Sequence, residues 1–327
     1  MSRPEDSAIS PAPGDASPVF EPNHNTGGKA VSNTVYEIVT ERVIKQLEQG
    51  NVPWRKPWSA AWAPKNAVSR RDYHGVNYVL LSCDVRRWEC PYFATKKQVY
   101  EDLDGKIQSD QWKHSQIVTF WKLVNLTEED EATGEETPTG KRVPFLRYYR
   151  VWNLAQTEGI SWTVEESAPV NPIVACDRVV EGYNDAPRIA HDGGNEASYR
   201  KLSDSVHMPP RDAFFGSEEY YATLFHELVH STGHGSRLDR DMTGGKYSKA
   251  YAREELCAEM GAALLLGTAG IMEDPLLQNS GAYLRSWISA LTEDPRCVTI
   301  AAGKAQKAAD WVLGEREEIT EPVRKAA

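Results

Sequence analysis

The chain has 327 residues, 40% of them hydrophobic, and its 37 Lys and Arg against 47 Asp and Glu leave a net charge of −10. That length suits more than one average domain, and no run of 18 apolar residues is present to span a membrane. The acidic balance excludes coating of nucleic acid by the whole surface and leaves room only for a local basic patch.

Residues 1–29 are rich in Pro, Ser, Gly, Asp and Asn and read as a disordered tail with no apolar stretch of signal-peptide length. From Asn33, "NTVYEIVTERVIKQLEQG" sets Val35, Ile38, Val39, Val43, Ile44 and Leu47 at helical spacing and stops at Gly50. The next stretch, "VPWRKPWSAAWAPKNAVSRRDYHGVNY", interleaves Arg55, Lys56, Lys65, Arg70 and Arg71 with Trp54, Trp58, Trp62 and Tyr73. Single-stranded nucleic acid wants that mixture, cations for phosphates and flat rings for unstacked bases. Composition supports equally well a set of tryptophans plugging a core beneath a long loop.

Two strands are expected in "SQIVTFWKLVNL" and "RVPFLRYYRVWNL", joined by the acidic excursion "TEEDEATGEETPTGK". Trp112, Lys113, Tyr148, Tyr149 and Arg150 offer a secondary stacking face there. Residues 162–172, "WTVEESAPVNP", read as a linker dividing 30–161 from 173–327. The second half reads as α+β. A helix and short strands lie between 171 and 210, and four helices follow in "SEEYYATLFHELVHSTG", "YAREELCAEMGAALLLGTAG", "AYLRSWISALTED" and "TIAAGKAQKAADWVLG". The segment "LSDSVHMPP", just before the first of these, is a candidate edge strand for pairing with an extended peptide. Cys83, Cys90, Cys176, Cys257 and Cys297 are scattered and odd in number, which fits a reduced, cytoplasmic setting.

The helix over 217–233 carries the pentapeptide His226-Glu-Leu-Val-His230, with Ser217 as a good N-cap residue and Gly233 as a stop. Imidazoles four apart converge from one face, the geometry a zinc ion needs, and Glu227 beside them can take a proton from a bound water. A third histidine six residues after His230 is excluded, because that position is Ser236. Glu255 and Glu259 share a face of the following helix. One can ligate while the other orients a ligand imidazole. Their E-x-x-A-E order resembles the glutamate zincins, which implies Glu255 on the metal and Glu259 behind it. Three protein ligands leave a position open, the catalytic arrangement rather than the structural one. Tyr251 and His234 are the nearby candidates for steadying an oxyanion.

Taken together, "VYEIVTERVIKQLEQGNVPWRKPW", "PKNAVSRRDYHGVNYVLLS" and "YRVWNLAQTEGI", followed by "YYATLFHELVHSTGH", "YAREELCAEMGAALL" and "AYLRSWISAL", resemble the ArdC family of plasmid antirestriction proteins over roughly residues 33–315. The resemblance implies an N-terminal α+β domain that binds single-stranded DNA and a C-terminal α+β zincin-like metallopeptidase domain. Zn2+, or another divalent transition metal, is the implied cofactor. Protection of incoming DNA from host restriction is the implied role; the protein substrate is not named by the sequence, and the host restriction system is one candidate source. Trp54, Trp58, Asn66, Tyr73 and Asn77 fall in the N-terminal motifs. His226, Glu227, His230, Glu255 and Glu259 fall in the peptidase motifs. The alternatives are a DNA-coating protein with a structural or vestigial metal site, and an accessory protein of DNA processing.

Overall fold

The computed structural model describes residues 34–54, 62–129, 136–164, 171–192, 194–242, 248–271 and 281–315. The expected disordered tail lies outside these residues, as do Arg55, Lys56, Trp58, the tip of the acidic excursion (130–135) and the middle of the expected linker (165–170).

The chain begins with helix α1 (Val35–Glu48). Thr34 caps it through a reciprocal capping box with Glu37, two otherwise orphaned donors satisfied at once. Strand β1 (Lys65–Asn66) leads to α2 (Val76–Trp88), a helix the sequence did not single out. Its N-cap is Gly75, with no side-chain cap, and its Val, Tyr and Cys content is that of a strand. Then come β2 (Tyr92–Thr95), β3 (Lys106–Ile107), the two long strands β4 (Gln116–Glu129) and β5 (Glu136–Asn153), and β6 (Thr157–Glu158). Strands β4 and β5 are the expected pair, and both run on into the acidic segment. One sheet has the order β1-β2-β5-β4, with β1 and β2 parallel and the rest antiparallel; β3 and β6 make a small second ladder.

Helix α3 (Pro172–Gly182) starts on the Asn171 cap with proline in its first turn. Strands β7 (Arg188–Ala190), β8 (Ser198–Arg200) and β9 (Ser205–His207) follow, then α4 (Ser217–Ser231), α5 (Lys249–Ala269), α6 (Gly281–Glu293) and α7 (Cys297–Leu313). The last four are the expected helices. The N-cap of α4 is Gly216 rather than Ser217, and the Glu219 carboxylate accepts from the Phe215 N–H at 2.7 Å.

The described residues from Thr34 onward cluster as one compact unit. Val39, Val43 and Leu47 of α1 and Val76, Val79 and Leu80 of α2 belong to the same buried cluster as Phe225 and Leu228 of α4, Leu256 and Met260 of α5, and the alanine face of α7. Ala301, Ala305 and Ala308 keep α7 thin enough to lie close to its neighbours. Two polar ties cross the same boundary: Thr40 Oγ1 donates to the Pro295 carbonyl at 2.6 Å, and the Gly75 N–H donates to Gln306 Oε1 at 3.2 Å.

Candidate metal centre and neighbouring surfaces

Helix α4 buries Tyr220, Tyr221, Leu224, Phe225, Leu228 and Val229, which fixes its rotation. His226 and His230 then flank the apolar stripe on the side facing α5. Ser248 caps α5 by accepting from the Tyr251 N–H at 3.1 Å. The two helices approach closely because α5 carries Gly261 opposite Val229; a Cβ at Gly261 would stand 2.8 Å from a Val229 methyl.

That approach brings together His226, His230 and Glu255, whose ligand atoms all lie within 4.8 Å of one another. The two Nε2 atoms are 3.1 Å apart. Glu255 reaches both: Oε2 is 3.5 Å from His226 Nε2, and Oε1 is 3.4 Å from His230 Nε2. Glu259 Oε2 stands 3.6 Å from His226 Nδ1, beyond hydrogen-bond length but on the ring's far side from the convergence point. Glu254 was not anticipated. Its Oε1 lies 3.3 Å from His230 Nδ1, and the buried Arg240 guanidinium grips the same carboxylate. Each imidazole thus has its Nε2 toward Glu255 and its Nδ1 toward another carboxylate.

Electrostatics agree with a cation site. Burial opposes charge on His226, yet Glu255 and Glu259 outweigh it and hold the imidazole well above its ordinary pKa. His230 is raised in the same way by Glu254 and Glu255. Burial would raise Glu255, but the two histidines pull it far below the usual carboxylate range. Two imidazoles and one carboxylate form the donor set of a catalytic divalent-metal site, so the residues fit such an ion. Glu227, next to His226, is also buried. Tyr251 occupies the first turn of α5, four residues before Glu255. His234 is engaged through Nδ1 with the Ser236 hydroxyl at 2.8 Å, in the turn after α4.

The segment expected to offer an edge strand does not. β9 is the middle strand, paired with β7 on one side and β8 on the other. The turn at 201–204 folds residues 198–200 back along it, so that among the described residues β7 and β8 are the outer strands.

The loop tryptophan Trp54 is 1% exposed and packs edge-on against Trp287 of α6, with ring centroids 5.1 Å apart. Tyr73 is also buried, in a cluster with Leu81, Phe93 and Val118. Neither ring can stack on a base in this arrangement, because other side chains already cover it. Asn66 turns the chain by accepting from the N–H groups of Val68 and Ser69 and donating to Tyr73 Oη. Asn77 ties α2 to β4 through both the N–H and the carbonyl of Thr119. Lys65 is paired with Asp72. Arg70 lies over the Tyr92 ring, 4.4 Å from its centroid, and Arg71 is exposed.

The exposed rings lie instead on the β4–β5 hairpin. Register pairs Val118 with Tyr149, Phe120 with Arg147 and Lys122 with Phe145, so these six share one face. Beyond buried Val118, Phe120 and Tyr149 are 47% and 49% exposed and meet edge-to-face with centroids 5.7 Å apart. Trp121, 58% exposed, is on the opposite face beside Tyr36. Of the secondary candidates, Tyr149 and Arg150 are exposed and Tyr148 packs on the core. Trp112 is partly exposed between Tyr100 and Trp152, with Lys113 exposed beside it. A strand reading "TFWK" sends its two adjacent rings to opposite faces, so a sheet covered on one side leaves at least one of them open, which is the signal that marks Phe120 and Trp121.

Residues 33–152 match a family model described as the N-terminal domain of anti-restriction factor ArdC, and residues 182–304 match a zincin-like metallopeptidase. The antirestriction ArdC protein of plasmid R388, in a metal-free crystal structure, is 34% identical, with a TM-score of 0.66 over 85% of this chain and 96% of that one. Its Mn(II)-bound structure also gives a TM-score of 0.66, at 30% identity over 88% of this chain and all of that one. An uncharacterized protein, y4eC, of Sinorhizobium fredii (strain NBRC 101917 / NGR234) is 32% identical over 87% of this chain and 93% of its own length. A DNA primase TraC of Escherichia coli is 32% identical over 91% of this chain, which spans 29% of that relative's length.

Proposed function

Because the chain belongs to the ArdC family of antirestriction proteins and carries a zincin-like metallopeptidase domain, we propose that it protects DNA entering a restricting host, by zinc-dependent peptide hydrolysis coupled to binding of single-stranded DNA. The convergence of His226, His230 and Glu255 carries the enzymatic half of this reading. A divalent ion held there, zinc in our reading, would polarise the scissile carbonyl and acidify a water. Glu227 takes the proton from the attacking water and delivers it to the leaving amide nitrogen as the C–N bond breaks. Glu259 steadies His226. Tyr251 or His234 stabilises the developing oxyanion. A peptide docks along an open edge of the three-stranded sheet, β7 or β8, since β9 has none. The family implies a divalent metal, and the Mn(II)-bound relative is consistent with this site accepting more than one such ion.

The DNA-binding half rests on the hairpin face, with Phe120 and Tyr149 as stacking rings and Lys122 and Arg147 as phosphate partners. Arg55, Lys56, Trp58, Arg70 and Arg71 remain proposed contacts at the loop. Lys65, Asn66 and Asn77 hold the fold through their hydrogen bonds and ion pair, and Trp54 and Tyr73 are withdrawn from the surface. The boundary between the two activities is placed at 162–172, between the matched segments. The primase relatives favour one further reading, a DNA-processing accessory protein of a mobile element with no antirestriction role. Metal analysis tests the proposal. Wild-type protein should hold about one zinc per chain, the capacity of one three-ligand site, and His226→Ala much less. Equal metal in both would overturn the assignment of the site.

A further inference from the structure

We propose that Arg240 and Glu254 are positioning residues for the metal ligand His230, a role that rests on the metal-site reading above and deepens it. Arg240 comes from the turn after α4, and its guanidinium is buried against that helix's C-terminal end. Nη2 donates to the Val229 carbonyl at 2.8 Å, and Nη1 donates to the Thr232 hydroxyl. The Thr232 hydroxyl in turn donates to the same Val229 carbonyl at 2.7 Å, so the guanidinium joins a knot of hydrogen bonds at the helix end. The same guanidinium donates to both oxygens of Glu254, Nη2 to Oε1 at 2.6 Å and Nε to Oε2 at 3.2 Å. One side chain therefore joins the end of α4 to the first turns of α5.

The fork fixes what Glu254 presents to His230. With both oxygens gripped by a cation, the carboxylate is an acceptor only, and Oε1 faces His230 Nδ1 at 3.3 Å. The hydrogen of the neutral imidazole then sits on Nδ1. The lone pair of Nε2 is left pointing at Glu255 and His226, where the metal belongs. Glu259 stands in the corresponding place behind His226, at 3.6 Å and without a clamp of its own among the described contacts. The two ligand histidines are thus oriented unequally, and His230 is the one whose Nδ1 partner is itself clamped by a guanidinium.

Removing one partner would bury an unpaired charge, so the test removes both. Arg240→Met with Glu254→Met keeps the volume and discards the pair. Zn2+ affinity is read by competition with a chromophoric chelator, and the His230 Nδ1–H of the zinc-loaded protein by its NMR signal. We expect the double variant to bind zinc roughly 10- to 100-fold more weakly and to lose the protected Nδ1–H signal. Arg240→Lys, which keeps a buried cation beside Glu254 but gives up the two-pronged grip, serves if the double variant does not fold. It should lose at least about 3-fold, since outer partners tune ligand strength. Wild-type affinity and a protected Nδ1–H in the folded variant would make the pair purely structural and overturn the proposal. If wild type itself takes up no zinc, the metal-site reading falls and this one with it. If wild type binds and the variants bind equally, only this one falls.

Discussion

Asp84 lies on the buried side of α2, where burial pushes its carboxyl up to about 6 while Gln116, Arg87 and Arg42 pull it back. A folded-state value above the unfolded one means the native state holds the proton more tightly. Stability from this group is complete below about 4 and lost as pH rises through about 6. The rise from 3.8 to about 6 corresponds to about 3 kcal/mol. Asp84→Asn should therefore stabilise the protein at pH 7, and its advantage should shrink as pH falls from 6 to 4; denaturant titrations at several pH values check this. Ser205, His207 and Asp192 show how residue-scale geometry can mislead. His207 joins Ser205 Oγ at 2.9 Å and Asp192 at 2.6 Å, the connectivity of a nucleophilic triad. Ser205 is 2% exposed and also bonded to Ser203, so the chain of bonds clasps β9 instead of serving a substrate. The convergence of His226 and His230, the proposed metal ligands, was legible in sequence because i, i+4 geometry is local. Glu254 was not, because its partner Arg240 reaches it through space from a loop with no motif.

At the level of elements, the proposed metal site depends on how closely α5 approaches α4. Gly261→Ala puts a Cβ 2.8 Å from Val229 and forces the helices apart. We expect a loss of about 1–3 kcal/mol of stability from overpacking and weaker zinc binding, read by calorimetric unfolding and chelator competition. A Gly261→Ala protein with wild-type metal affinity would show that the spacing is not critical. The aromatic loop illustrates the opposite limit of sequence reading. Composition could not separate a stacking surface from a core plug. Trp54 became a plug because α1 delivers it against Trp287, which sits 233 positions later in the chain. Trp54→Ala should cost about 3–5 kcal/mol of stability and leave single-strand affinity unchanged. Tyr149→Ala should do the reverse, weakening binding by about 1–3 kcal/mol with little effect on folding. Equilibrium binding to a labelled oligonucleotide and thermal melts distinguish the two.

For the whole molecule, one buried cluster runs from α1 and α2 through α4, α5 and α7. Cooperative unfolding follows, and calorimetry should show a single transition for residues 34–327 rather than two. Metal links to that transition by mass action. Saturating zinc at about 100 times its dissociation constant should add about 2.7 kcal/mol, and a chelator should remove it. The long helices, the hairpin and the α+β class could be read from periodicity, while the shared core could not, since it joins segments that a Pro-rich linker separates in sequence. On our proposal, the metal site acts as a peptidase in protecting DNA. The most direct test compares wild type with Glu227→Gln for protection of DNA transferred into a restricting host, with zinc content and single-strand binding measured alongside. We predict that protection is lost while metal and DNA binding persist. Protection at the wild-type level would contradict the account and shift the activity to the DNA-binding face.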